Sequence, residues 1–289
     1  MPAPTLAAPR PPGPTSETAP LSIGGVALAA RDAGALAAFY SALLGVPARP
    51  DKAWPGAFHL GFGPATLRLL PAPAARPEAG DEPGLFHTAF LLPGRAALAG
   101  WLRHALAQGV KPQGASDHGV SDAIYLSDPE GNGIEVYADR PPALWPRPAP
   151  PAEGVAMVTR RLDLEALLAE APAPALLPEE TRIGHVHLRA GDVAATEDFY
   201  RGLGFSVTQR LPRASFLGSG GYHHHIAVNN WGSAGIRPDG LLGLRSITLR
   251  AADEASFRQA ASGMAEAQET PEGMAAVDPS GNAVLLVRG

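Results

Sequence analysis

Residues 23–45 read IGGVALAARDAGALAAFYSALLG, and residues 183–204 read IGHVHLRAGDVAATEDFYRGLG. Ile23 matches Ile183, Asp32 matches Asp192, and Phe39-Tyr40 matches Phe199-Tyr200, all at an offset of 160 residues. Further on, DPEGN at 128–132 matches DPSGN at 278–282, at an offset of 150. Self-similarity at a fixed spacing marks a repeated supersecondary unit. The chain therefore divides into two halves of one plan, residues 21–141 and 181–289. Between them, PPALWPRPAPPAEG at 141–154, a short helical pattern around Asp163–Glu170 and further Pro and Ala make 142–180 a linker. The opening MPAPTLAAPRPPGPTSETAP is rich in Pro and Ala and reads as a disordered tail, 1–20.

Each half reads as two smaller units. Ile23–Ala29 alternates like a strand. Asp32 is placed to cap a helix that carries Leu36, Phe39, Tyr40 and Leu43 on one face, and Gly45 is placed to end it. Short strands are expected near 56–62 and 65–71. A second unit starts at GLFHTAFLLP (84–93), with a helix over roughly 94–108 and strands near Ala123–Leu126 and Gly133–Tyr137. DPEGN supplies the turn between those last two, since Pro fixes φ and Gly accepts a positive one. The plan is strand, helix, then two or three strands, four times over.

Composition bounds the partners. The 289 residues suggest about two domains, and 45% hydrophobic content is enough for substantial cores. The net charge is −5, from 23 basic and 28 acidic residues, with no basic run, so nucleic acid is not an expected partner. Cysteine is absent, which excludes disulfides and thiolate metal sites. Any metal must then be held by His and carboxylate. No apolar stretch is long enough to span a membrane, and the tail lacks the apolar core of a signal peptide; a cytoplasmic protein is expected.

A βαβββ unit that opens IGHVHL, closes DPxGNxIEVY and recurs in pairs resembles the vicinal-oxygen-chelate superfamily. That superfamily includes glyoxalase I, fosfomycin and bleomycin resistance proteins, and type I extradiol dioxygenases. The stretches GLFHTAFLLPGRAALAGWL, SDHGVSDAIYLSDPEGNGIEVYADRPPALW, IGHVHLRAGD and GGYHHHIAVNNW are most similar to bacterial catechol 2,3-dioxygenase-like proteins with two paired halves. The fold this implies is α+β: four βαβββ units arranged as two paired-module domains, each a cup-shaped mixed β-sheet.

The resemblance also implies where a metal would sit. Family ligands come from the first and last strands of the units, and the extradiol set is two His and one Glu. In unit one the ligand position is Gly25, which cannot ligate. Unit two offers His87 and Glu135, and unit three offers His185. Unit four has Ser246 and Leu285 at these positions. Pairing one with two and three with four completes no set. Pairing two with three completes it, within one chain or between the chains of a homodimer. His187 lies on the same face as His185 by strand alternation and is an alternative or flanking group.

Around that set, Tyr125 lies ten residues before Glu135, the spacing of an active-site Tyr in extradiol enzymes. His118 precedes it in SDHGVSDAIY, either as a substrate contact or as a plain loop residue. The triplet His223-His224-His225, in GGYHHHIAVNNWGS at 220–233, falls at the close of unit three. There the family places a fourth ligand or an acid–base group. Read as a strand, it puts His223 and His225 on one face and His224 on the other. His225 is favoured first as the proton-transferring residue and His223 second.

These residues together imply a divalent-metal extradiol dioxygenase, with Fe(II) first and Mn, Zn or Ni as other candidates. Its partners would be a small catechol-like aromatic diol and dioxygen. Two rivals share the scaffold. One is a glyoxalase-like Zn or Ni isomerase or transferase using four ligands. The other is a non-catalytic aromatic-binding or resistance protein.

Overall fold

A computed structural model describes residues 14–171 and 173–289. Most elements lie within a few residues of the expected ones. The first helix runs Ala33–Leu44, and the Asp32 carboxylate accepts from the Ala35 N–H at 2.9 Å. Gly45, at φ 66°, ends it in the left-handed region, its N–H donating to the Ser41 carbonyl. The equivalent helix of unit three, Val193–Gly202, is capped by Asp192 in the same way.

Two curled sheets result, and each takes one unit from each half. The nine-stranded sheet joins unit three to unit two. Its order is Ser206–Leu211, Ala214–Gly218, Ile226–Asn229, Arg182–Arg189, Gly84–Leu92, Gly133–Asp139, Ser121–Ser127, Gly114–Asp117 and Arg160–Arg161. The eight-stranded sheet joins unit four to unit one through Gly243–Ala251 and Leu21–Ala30 in the same arrangement. Where two units meet, their first strands pair antiparallel, while within a unit the first and last strands are parallel. So units two and three share a sheet within one chain. The helices cover the outer faces, and Leu28, Tyr40, Phe90, Trp101, Tyr200 and Leu249 sit in one continuous buried core beneath both sheets.

Two segments depart from their expected roles. Of the tail expected over 1–20, residues 1–13 lie outside the described residues, and 14–20 are packed. Ser16 and Ala19 are buried, Glu17 pairs with Arg182, and the Pro20 carbonyl accepts from the Ala252 N–H at 2.9 Å. The linker does more than connect. It carries the short helix Leu164–Ala169, capped by Asp163, and contributes the edge strand Arg160–Arg161, paired to Gly114–Asp117. Proline-rich composition marked this segment as irregular, but not that Trp145, Val155 and Leu162 would be buried.

Candidate metal centre

The nine-stranded sheet curls around a cavity of about 370 Å³. The inner face is set by register. Tyr125 lies opposite Glu135, Glu135 opposite Ala89, and Ala89 opposite His185, so four strands contribute to one row. His87, two residues before Ala89, points to the same face by strand alternation. The register between Arg182–Arg189 and Gly84–Leu92 shifts between Ile183 and His185, and that shift brings His185 level with Ala89. Gly184 sits at the shift, where a Cβ would collide with the Tyr137 hydroxyl. Ala89 is fully buried with a one-carbon side chain, which leaves free the space between Glu135 and His185.

Into that space point three ligand atoms. His87 Nε2 is 2.9 Å from Glu135 Oε2, His185 Nε2 is 3.3 Å from the same oxygen, and the two ring nitrogens are 3.3 Å apart. Ligands about 2.1 Å from one ion and at right angles to each other stand about 3 Å apart, so the triangle fits a metal bound on one face. All three residues are buried, and among the described residues they form a candidate metal cluster whose ligand atoms lie within 4.8 Å of one another. Burial alone would raise the Glu135 carboxyl, but the rings of His185 and His87 hold it well below the usual range. Burial also lowers His185, against the opposing pull of Glu135. Neutral imidazole and ionised carboxylate are the forms that bind a metal.

Around the triangle the cavity has two characters. On one side His118 Nε2 and the Tyr125 hydroxyl are 2.7 Å apart, while His118 Nδ1 donates to the Val158 carbonyl at 2.8 Å. A carbonyl can only accept, so in the neutral ring Nδ1 carries the hydrogen and Tyr125 donates to Nε2. Burial, with Glu135 nearby, raises the Tyr125 hydroxyl well above its ordinary value and keeps it protonated. On the other side Phe86, His187, Phe216 and Trp231 make an aromatic wall, with Phe86 and His187 centroids 4.8 Å apart. The Asn229 amide donates to His187 Nε2 at 2.9 Å, and burial holds that ring well below its ordinary value. His187 thus flanks the cluster, on the same face as His185.

The histidine triplet divides as alternation implies, His224 apart from His223 and His225, but it is the His224 side that meets the cavity. The strand begins only at Ile226, so residues 223–225 follow an irregular path from the turn at 219–221. His224 is the member that lines the cavity, its ring centroid 4.2 Å from that of His185. His225, favoured on the sequence, is not brought to the cavity. Its Nδ1 accepts from the Ser219 N–H at 3.2 Å and its Nε2 faces the Ser16 carbonyl at 3.4 Å. Burial takes its pKa down to about 3. His223 also lies behind the cavity wall: its Nε2 donates to Asp139 at 2.7 Å and its Nδ1 lies 2.8 Å from His224 Nδ1. With Asp139 fixing the His223 tautomer, His224 Nδ1 donates and its Nε2 keeps a lone pair. Sequence reasoning also missed the part of Met157, Val158 and Thr159, which line the cavity from the linker.

Among the described residues no helix is long and apolar enough to cross a membrane. A family model for the glyoxalase/bleomycin resistance protein/dioxygenase superfamily matches residues 22–136 and 182–286. A catechol-2,3-dioxygenase of Bacillus subtilis (strain 168) is 44% identical over 161 residues, which cover 54% of this chain and 55% of that protein. The match thus spans about half the length of this curated relative. Among solved structures, a candidate dioxygenase from Bacillus subtilis subsp. subtilis str. 168 covers 92% of this chain, with 84% of its own length covered, at TM-score 0.61 and 15% identity. Glyoxalase I from Zea mays covers 93% of this chain, with 92% of its own length covered, at TM-score 0.54 and 16% identity. At those identities the structures speak for the fold, a mixed α+β arrangement of two curled sheets, and for nothing further. With both halves matched by the family model, the chain belongs to the glyoxalase/bleomycin resistance protein/dioxygenase superfamily.

Proposed function

We propose that the protein is a metal-dependent dioxygenase of the extradiol type, which cleaves the ring of a catechol-like aromatic diol beside its two hydroxyls. His87, Glu135 and His185 are the proposed metal ligands. The observation that carries the reading is the open triangle they form at the base of a cavity with an aromatic wall on one side and Tyr125 and His118 on the other. The name of the Bacillus subtilis relative supports it. Two His and one carboxylate leave positions open on the far side of an ion, the donor set that suits Fe(II) among oxygen-using enzymes. When bound, the ion supplies Lewis acidity and passes electrons between diol and dioxygen.

The chain's own groups do the rest. The aromatic wall of Phe86, Phe216 and Trp231 offers faces and edges to a substrate ring. Tyr125, kept protonated and oriented by the hydrogen bond it gives His118, leaves its hydroxyl oxygen free to accept from a diol hydroxyl. His224 Nε2, backed by His223 and Asp139, takes a diol proton and returns it as the ring opens. Burial lowers the His224 pKa well below its ordinary value, so the ring is neutral and its Nε2 lone pair is free to face the diol. A four-ligand Zn or Ni enzyme needs one more donor than the triangle offers, and the cluster found among the described residues has three members.

The test is oxygen uptake by Fe(II)-loaded protein on a panel of catechols, with the yellow ring-fission product followed by absorbance. Stoichiometric uptake and colour are expected. Tight binding of the diols with neither signal would favour a sequestering protein instead.

A further inference from the structure

One wall of the cavity belongs to neither unit. Residues 155–161 of the linker cross the rim of the nine-stranded sheet, held first to unit three and then to unit two. The Val155 N–H donates to the Thr208 carbonyl at 3.0 Å. The Gln209 side chain grips Met157 twice, accepting from its N–H at 2.7 Å and donating to its carbonyl at 3.1 Å. Val158 is held from unit two: its N–H donates to the His118 carbonyl at 3.1 Å, and its carbonyl takes the His118 ring hydrogen. Arg160 and Arg161 then pair with Ser116 and Asp117. Gly154 precedes the crossing at φ 96°, so close to Thr208 that a Cβ would strike its carbonyl.

This strap brings Met157 into the cavity lining, backed by the buried cluster of Val120, Trp145, Val155 and Tyr222. A cavity of about 370 Å³ falls in the roughly 300–1,000 Å³ range of pockets that hold drug-sized ligands, larger than a bare dihydroxybenzene. Glu135 is the one charged side chain lining it among the described residues, and no Lys or Arg is there to pair with an anionic substituent. An unpaired carboxylate in such a site is costly.

We propose that the strap is the specificity-determining wall of this site, with Met157 as the contact and Gln209 as the clasp that positions it, and that together they select catechols carrying an uncharged, apolar substituent. The inference rests on reading the cavity as an aromatic-diol site. It does not require that the diol be cleaved. Gln209 touches no substrate; it acts through the placement of Met157.

The probes are catechol, 3-phenylcatechol and 3,4-dihydroxyphenylacetate, titrated into metal-loaded protein with tryptophan fluorescence as the readout. The wild type is expected to bind 3-phenylcatechol at least about tenfold more tightly than catechol, and the anionic diol most weakly; one tenfold step is about 1.4 kcal/mol. Met157→Ala and Gln209→Ala should each shrink the phenyl-to-catechol ratio at least about fivefold, with metal content unchanged. Gln209→Glu keeps the acceptor and loses the donor, so it should fall between. An unchanged ratio in folded, metal-replete Gln209→Ala and Met157→Ala would overturn the proposal, as would a wild-type preference for the anionic diol. Binding without turnover would sink the dioxygenase reading and leave this one standing. Failure of both uncharged diols to bind would overturn both.

Discussion

The Tyr40 hydroxyl donates to the Asp128 carboxylate at 3.0 Å, tying the helix of unit one to the DPEGN turn of unit two. Tyr200 and Asp278 repeat the contact between units three and four at 3.3 Å. Burial raises the Asp128 carboxyl, and its bonds to Asn132, Tyr40 and Glu130 offset part of that. The folded chain therefore keeps this proton to higher pH than the unfolded one. The cost of the buried charge is present in full above the folded pKa and fades as pH falls through it toward the unfolded value of about 3.9. Tyr40→Phe removes a donor that matters most to the charged form. We expect it to cost about 1–2 kcal/mol at neutral pH. Urea melts of variant and wild type should converge as pH is lowered through that window.

Metal binding should depend on all three members of the triangle. Loss of a supporting hydrogen bond to a ligand costs about 10- to 100-fold in affinity, so loss of a ligand should cost at least as much. Glu135→Gln, His87→Ala and His185→Ala are each expected to lower bound metal from one ion per chain to a small fraction, read by elemental analysis after dialysis. Metal at about 100 times its Kd should stabilise the wild type by about 2.7 kcal/mol and the variants by almost nothing. Retention of one ion per chain in any of the three would contradict the assignment.

The triplet separates into two kinds of residue. His224→Ala should keep its metal and lose about 100-fold or more in turnover, the usual scale of a positioned proton acceptor. His225→Ala should act through the fold: it removes a fully buried ring with two hydrogen-bond contacts, at about 2–4 kcal/mol. Turnover by whatever His225→Ala protein stays folded should be near normal. The opposite pattern, in steady-state assays and melts, would return the proton-transfer role to His225.

Ala89 tests the space itself. Ala89→Val adds two methyl groups beside the row of Glu135 and His185 without removing a ligand. Overpacking costs about 1–3 kcal/mol, which a chain of this size tolerates. The expected result is a folded protein with metal affinity reduced at least tenfold, measured by competition with a chromophoric chelator.

What could be read in the sequence follows from what local physics controls. Asp32, Gly45, Asp192 and the two DPxGN turns work through their neighbours along the chain, so their roles were visible. His87, Glu135 and His185 follow from the family resemblance, which places ligands on the first and last strands of each unit, and sheet register brings them close. Alternation separates His224 from His223 and His225 but does not say which side meets the cavity; that is set by partners far along the chain, Asp139 for His223 and Ser16 for His225. The strap was invisible for a different cause: Met157 and Val158 are placed by Gln209 and His118, about 50 and 40 residues away, and no local pattern records such a grip.

The two kinds of contact between units run crosswise. Sheet pairing joins one to four and two to three, while the tyrosine–aspartate bonds join one to two and three to four. The four units thus form a closed ring, and this has a consequence for birth on the ribosome. Strand Leu21–Ala30 is made early and must wait more than two hundred residues for Gly243–Ala251, its antiparallel neighbour. Gly84–Leu92 likewise waits for Arg182–Arg189. A nascent first half carries two open strand edges and two of the three members of the candidate metal triangle. Such edges invite pairing with other chains. The early product is therefore the vulnerable one, and the candidate metal triangle closes only when His185 arrives.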